Sequence, residues 1–172
     1  MADTFVYTSP IAEISRPLIE QLTAEYQSRY GDHFEKGGAA VEMNRYPPER
    51  FAEPEGTFIL LLRDGQPIAG GAFMRYDETT AEFKRMWTDA GHRRQGLAQR
   101  VLTELESRAA AQGYNRVYLT TGFRQPEAVR LYLKSGYTAL FDVNAAPETL
   151  QVLPFEKPLA AHAGERNERL RA

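Results

Sequence analysis

The chain has no cysteine and only one tryptophan among 172 residues. The missing cysteines exclude disulfides, thiolate metal sites and any reaction in which a protein thiol carries an intermediate. Its net charge of −2 and pI near 6.0 give no general attraction for a polyanion, so nucleic acid is not an expected partner and any anion site has to be built locally. No window approaches the roughly 18 apolar residues of a membrane span, and "MADTFVYTSPIAEIS" lacks a basic start followed by a long apolar run. A cytoplasmic protein with no membrane partner is the expectation. His33, His92 and His162 are scattered without ligand spacing, so no metal site is expected, and His92 reads as a polar loop residue. There is no Gly-x-Ser-x-Gly elbow, no P-loop Gly-Lys-Ser or Gly-Lys-Thr, and no GxGxxG fingerprint.

What is present is an ordinary globular composition, 42% hydrophobic and 26% charged, in a length that suits one domain. Residues 1–160 are expected to form it. The polar tail 161–172, within "AAHAGERNERLRA", is short of large apolar residues and is assigned no function. After the apolar opening "TFVYTSP", Ser15 is a candidate cap for a helix carrying Leu18, Leu22, Tyr26 and Tyr30, with Gly31 as terminator. A Gly-, Pro- and charge-rich stretch follows, read as irregular structure or a short helix. "TFILLLRDG", "QPIAGGAFMRYD" and "TTAEFKRMWTD" then read as an antiparallel meander.

Leu97, Val101, Leu102, Leu105 and Ala109 fit one helical face up to Gly113, and "NRVYLTT" reads as a buried strand after it. A further helix starts at Pro126, with Ala128, Leu131, Tyr132 and Ser135 on one side and Gly136 as stop. "YTALFD" and "QVLPFEKPL" are the last strand candidates.

The stretch "GHRRQGLAQRVLTELE" places donors and a glycine where a helix begins. A glycine at such a junction lets backbone N–H groups converge, and the new helix adds its unpaired donors and partial positive charge. That corner suits a phosphate, with Arg93 and Arg94 adding charge-assisted bonds while Gly96 and Ala98 keep the surface low. Taken alone, the same residues also describe an ordinary solvated helix start.

With its surroundings the stretch resembles a known family. "AEFKRMWTDAGHRRQGLAQRVL" is similar to the central motif of the GCN5-related N-acetyltransferase (GNAT) superfamily: Gln or Arg, two residues, Gly, one residue, Gly or Ala, here Arg93, Gly96 and Ala98. "QPEAVRLYLKSGY" resembles its second motif through Ala128, Leu131, Tyr132, Gly136 and Tyr137, with Gln125 where the family usually has Asn. The likeness spans roughly residues 56 to 158.

The resemblance implies an α/β (α+β) GNAT fold, a mixed and mostly antiparallel sheet of six to seven strands flanked by about four helices. It implies an acyl-CoA enzyme with acetyl-CoA as donor, and a V-shaped gap between the fourth and fifth strands for the pantetheine. Met86, Trp87 and Thr88 would offer backbone groups there, Gln125 and Ala128 would complete the pantetheine wall, and Arg93, Arg94, Gln95, Gly96, Leu97, Ala98 and Gln99 would line the pyrophosphate seat. Homodimers are common in the family.

Two catalytic residues are expected from the same likeness. Glu82 precedes Arg93 by the eleven residues that separate the catalytic glutamate of related histone acetyltransferases from the loop motif, which makes it the candidate general base. Strand alternation puts Glu82, Lys84 and Met86 on one face unless a bulge resets it. Tyr132 would meet the thioester sulfur and protonate the departing thiolate. With no cysteine, direct attack by a small-molecule primary amine in a ternary complex is the leading expectation. A protein or peptide acceptor and a non-catalytic acyl-CoA sensor are the alternatives. Tyr26, Tyr30, Arg45, Tyr46 and Arg75 fall in the segments expected to build the acceptor pocket, where an arginine could hold a substrate carboxylate.

Overall fold

A computed structural model describes residues 3–31 and 38–160; His33, His162 and the tail 161–172 lie outside them. The elements run β1 (Thr4–Tyr7), α1 (Arg16–Tyr30), α2 (Gly38–Met43), β2 (Thr57–Arg63), β3 (Gln66–Arg75), β4 (Thr80–Thr88), α3 (Leu97–Ala111), β5 (Arg116–Gly122), α4 (Pro126–Lys134), β6 (Thr138–Ala139), α5 (Pro147–Leu150) and β7 (Val152–Pro158). One seven-stranded sheet has the order β1-β2-β3-β4-β5-β7-β6. Among the described residues only β4 and β5 run parallel, joined through α3, and every other pairing is antiparallel.

The sheet is covered on both faces, which explains why β2 is buried along most of its length rather than alternating with solvent. Its side chains still alternate between two cores. Ile59 and Leu61 pack with Val101, Leu102, Leu105 and Ala109 of α3, whereas Phe58 and Leu60 pack with Leu18 and Leu22 of α1. The buried set of α3 is the one its 3.6-residue period predicts. Each such aliphatic side chain stabilises the fold by roughly 1.5–3 kcal/mol.

Three local expectations are corrected. Ser15 does not cap α1: its backbone is already helical (φ −83, ψ −7), a 3₁₀ turn precedes it, and its hydroxyl donates to the Ser9 carbonyl at 2.7 Å. Gly31 follows the last residue of α1 in a right-handed conformation, so no left-handed stop is used. "YTALFD" contributes only Thr138–Ala139, because Phe141 turns inward onto Phe155 and an Asp142 turn carries the chain away. The segment before β2 does contain a short helix, α2.

The feature that positions the site is a fork. β4 pairs with β5 only from Thr80 to Phe83, after which β4 continues along β3 to Thr88 while β5 continues along β7 to Gly122. A bulge marks the parting: Ala72 faces Lys84 and Gly70 faces Trp87, so Arg85 and Met86 together oppose Gly71. Arg85 takes a left-handed φ of +62 to make this possible. Gly71 is required opposite it, because a Cβ there would stand 2.8 Å from Met86 Sδ and 2.9 Å from Leu105 Cδ1.

The bulge also resets the strand. Glu82, Lys84 and Trp87 face the α1 side, whereas Ala81, Phe83 and Met86 face the α3 side. Met86 therefore parts from Glu82 and Lys84, which simple alternation had put with it.

Candidate active site

The fork opens into a cavity of about 900 Å³ between β4, the loop before α3, and α4. Its wall includes Met86, Trp87, Thr88, Arg93, Arg94, Gly96, Leu97, Ala98, Gln99, Gln125, Ala128 and Tyr132. Two expected residues stand outside that wall. Gln95 turns its carbonyl to Arg63 Nη1 at 2.8 Å, and Glu82 lies below the parting, beside Tyr118 of β5.

At the loop end, Arg94 and Gly96 have φ of +64 and +72. These left-handed residues turn the chain into α3, and a Cβ at Gly96 would meet nothing within 4 Å, so the space over the helix N-terminus is clear. Arg93 and Arg94 of this loop, and Arg130 and Lys134 of α4, line the cavity and form no ion pair among the described residues. Unpaired cations and a helix N-terminus are groups that could hold an anion. Arg130 and Lys134 escaped the sequence reading; their only signal was their i,i+4 spacing on the helix that bears Tyr132.

The start of the loop is tied to α1. Trp87 Nε1 donates to Gln21 Oε1 at 3.0 Å, Gln21 Nε2 donates to Asp89 Oδ1 at 2.6 Å, and Asp89 Oδ2 accepts from Gly91 N at 3.0 Å and lies 2.7 Å from His92 Nδ1. The bond from Gln21, followed by that from His92, holds the Asp89 carboxyl below the usual carboxylate range. His92 is the polar loop residue expected of it. Gln21 and Asp89 are new, and a link across 68 positions leaves no local sequence signal.

On α4, Tyr132 is 5% exposed and packs on Tyr137 and Phe155 with ring centroids 5.6 and 5.4 Å away. Its hydroxyl has no hydrogen-bond partner among the described residues although the residue lines the cavity. Burial pushes the phenol pKa well up, with the Tyr26 ring region adding to it, so the group stays protonated. Gln125 Oε1 accepts from Thr121 Oγ1, Gly122 N and Tyr30 Oη at 3.0 to 3.2 Å, fixing the turn from β5 into α4.

A second chamber of about 320 Å³ adjoins the first across Lys84, Arg85, Thr120 and Thr121. Tyr26 and Tyr30 line it, joined by Glu42, Phe123, Gln151 and Val152. Arg45, Tyr46 and Arg75 do not: Arg45 pairs with Glu42 and lies over Tyr46, Tyr46 packs on Phe51, and Arg75 pairs with Glu55 at 3.1 Å. The Glu82 carboxylate is 3.3 Å from Lys84 Nζ, and Lys84 is the member of that pair that reaches both chambers.

The model of the acetyltransferase (GNAT) family matches residues 19–137. The chain belongs to the GNAT family. An IAA acetyltransferase from Azospirillum brasilense is 29% identical over 136 residues, 78% of this chain and 83% of that protein. The Uncharacterized N-acetyltransferase YsnE of Bacillus subtilis (strain 168) is 39% identical over 75 residues, 43% of this chain and 49% of that protein, so this match spans about half the relative's length. The solved structure of PaiA N-acetyltransferase from Thermoplasma acidophilum in complex with coenzyme A is 15% identical over 92% of this chain and 99% of that one, and its TM-score of 0.69 marks a shared GNAT fold. Seven mostly antiparallel strands with flanking helices agree with that fold. No helix among the described residues is long and apolar enough to cross a membrane, and no group of three metal-ligating side chains occurs among them.

Proposed function

We propose that this GNAT protein transfers an acetyl group from acetyl-CoA to the primary amine of a small molecule by direct attack in a ternary complex. What supports the reading is that one cavity holds unpaired cations, the clear helix start at Gly96 and the hydroxyl of the buried Tyr132, and adjoins a second chamber of about 320 Å³.

Acetyl-CoA supplies an activated thioester. The residues present suit its three regions. The unpaired arginines and the open space above Gly96 suit a pyrophosphate. Beyond Phe83, the backbone of β4 on its β5 side is released from the parallel ladder, so Met86, Trp87 and Thr88 can hydrogen-bond an amide-bearing arm. A backbone N–H at Met86 or Trp87 is the natural donor to the thioester carbonyl oxygen. Tyr132, kept protonated by burial, donates a hydrogen bond toward the sulfur. Because a phenol so far above a thiol in pKa is the weaker acid, that hydrogen bond outweighs full proton transfer as its contribution.

An alkylammonium with pKa about 10.4 is only a few parts in ten thousand neutral at pH 7, a handicap of roughly 4–5 kcal/mol. Glu82 is the proposed base. Since it lies behind Lys84 rather than in the cavity wall, it takes the amine proton through a water.

The test is to mix the protein with acetyl-CoA and a panel of amines, amino acids, polyamines and peptides, and to follow free thiol. Acceptor-stimulated release with a small amine is the expected result. Release with peptides alone would make the protein a peptide acetyltransferase, and CoA binding without release by any acceptor would make it a sensor.

A further inference from the structure

We infer that Arg85 is the acceptor-recognition residue and that the acceptor carries a carboxylate beside the chain bearing its amine. This rests on the reading of the protein as an amine acetyltransferase and narrows the substrate class of that site.

Arg85 is only 7% exposed, yet it forms no ion pair among the described residues. One nitrogen, Nη2, donates to the Glu42 backbone carbonyl at 3.2 Å. The carboxylates are engaged elsewhere: Glu42 with Arg45 at 3.6 Å, Glu25, which lines the same cavity, with Arg29 at 3.3 Å, and Glu82 of the same strand with Lys84 at 3.3 Å. A guanidinium has five donors and cannot lose its charge, so removing it from water with one neutral acceptor is destabilising by itself. The backbone strain of φ +62 adds to that cost. Among the described residues no ion pair offsets the burial of that charge.

The residue lines both chambers, at the point where the donor cavity passes into the acceptor chamber. An anion supplied by a ligand would complete it, and the planar fork of its N–H groups matches a carboxylate. The phosphates of the donor are not that anion. Arg85 lies three residues back along β4 from Thr88, about 10 Å at the strand rise, and the loop carrying Arg93 to Gly96 follows the end of that strand. The pantetheine arm is uncharged. The acceptor remains.

The experiment compares leucine and phenylalanine with isoamylamine and phenethylamine, which lack the carboxylate, and with leucinamide and phenylalaninamide, which keep its shape without its charge. Rates are expressed per free amine. In the wild type, kcat/KM should favour the amino acids by about 10- to 100-fold, the range of a charge-assisted hydrogen bond, mostly through KM. Arg85→Gln should abolish the preference and Arg85→Lys should restore part of it. CoA affinity should stay unchanged, and the melting temperature of Arg85→Gln should be equal to or above that of the wild type. No carboxylate preference, or a preference surviving in Arg85→Gln, would overturn the inference while leaving the acetyltransferase reading intact. A fall in melting temperature with the preference retained would make Arg85 structural. If no amine is acetylated the enzymatic reading fails, and the inference is then decided by N-acetyl-leucine: thermal stabilisation of the CoA-loaded wild type but not of Arg85→Gln supports it, and its absence overturns it.

Discussion

Replacing Gly96 with alanine isolates the conformational demand of the anion seat. At φ +72, ψ +17 an L-residue with a Cβ is disfavoured by roughly 1–2 kcal/mol. The added methyl meets no protein atom within 4 Å, so no clash adds to that figure. The strain then has two outlets. If the loop keeps its shape, the free protein loses the full 1–2 kcal/mol and CoA affinity changes little. If the loop relaxes, the free protein keeps its stability and CoA has to restore the shape, weakening binding by roughly 5- to 30-fold. In either case the CoA-saturated protein is 1–2 kcal/mol less stable than saturated wild type. For a chain of this length that lowers its melting temperature by roughly 2–8 °C. Thermal unfolding with and without saturating CoA, together with calorimetric titration, measures both outlets. Gly96→Glu adds a negative charge over the same point and should abolish stabilisation by CoA altogether. Unchanged affinity and unchanged saturated melting temperature in Gly96→Ala would refute the assignment of this corner as the pyrophosphate seat.

Three further substitutions test the remaining parts. Tyr132→Phe should lower kcat by about 10- to 100-fold, the value of one hydrogen bond to a charged atom, with CoA affinity nearly unchanged; an unaltered kcat reduces Tyr132 to core packing. Glu82→Gln should lower kcat/KM by about 100-fold at neutral pH and recover as pH approaches the amine pKa, because the acceptor then deprotonates unaided; wild-type rates across pH remove it as the base. Asp89 has a folded pKa below its unfolded value of about 3.9, so its contribution is full above that pH and is lost as pH falls through the folded pKa. Asp89→Asn should therefore melt roughly 2–6 °C lower than wild type at pH 7, with the gap closing in acid. A gap independent of pH would show that the charge of Asp89 is not what fastens the loop.

The parts that were legible in the sequence are those set by short-range pattern. The inward face of α3 follows from a 3.6-residue repeat, and the loop declares itself by arginines and a glycine at a helix start. What could not be read depends on partners distant in the chain. The bulge at Arg85 is defined by Gly71 across the strand pair, and without that register Met86 falls on the wrong face. The spacing from Glu82 to Arg93 agrees with a catalytic glutamate, yet only the extent of the β4 and β5 ladder reveals that the fork opens above Glu82. Arg45, Tyr46 and Arg75 were grouped by segment, and each is committed to a neighbour in space. Ser15 had the composition of a cap but its conformation is set by the turn before it.

A crystal structure with CoA bound tests the proposed acyl-CoA site most directly. The pantetheine should lie between β4 and β5, hydrogen-bonded to the backbone of Met86 to Thr88, with the pyrophosphate over the amides from Arg94 to Ala98 and the sulfur at the Tyr132 hydroxyl. CoA bound elsewhere, or lying in the fork with its sulfur away from Tyr132, would contradict it.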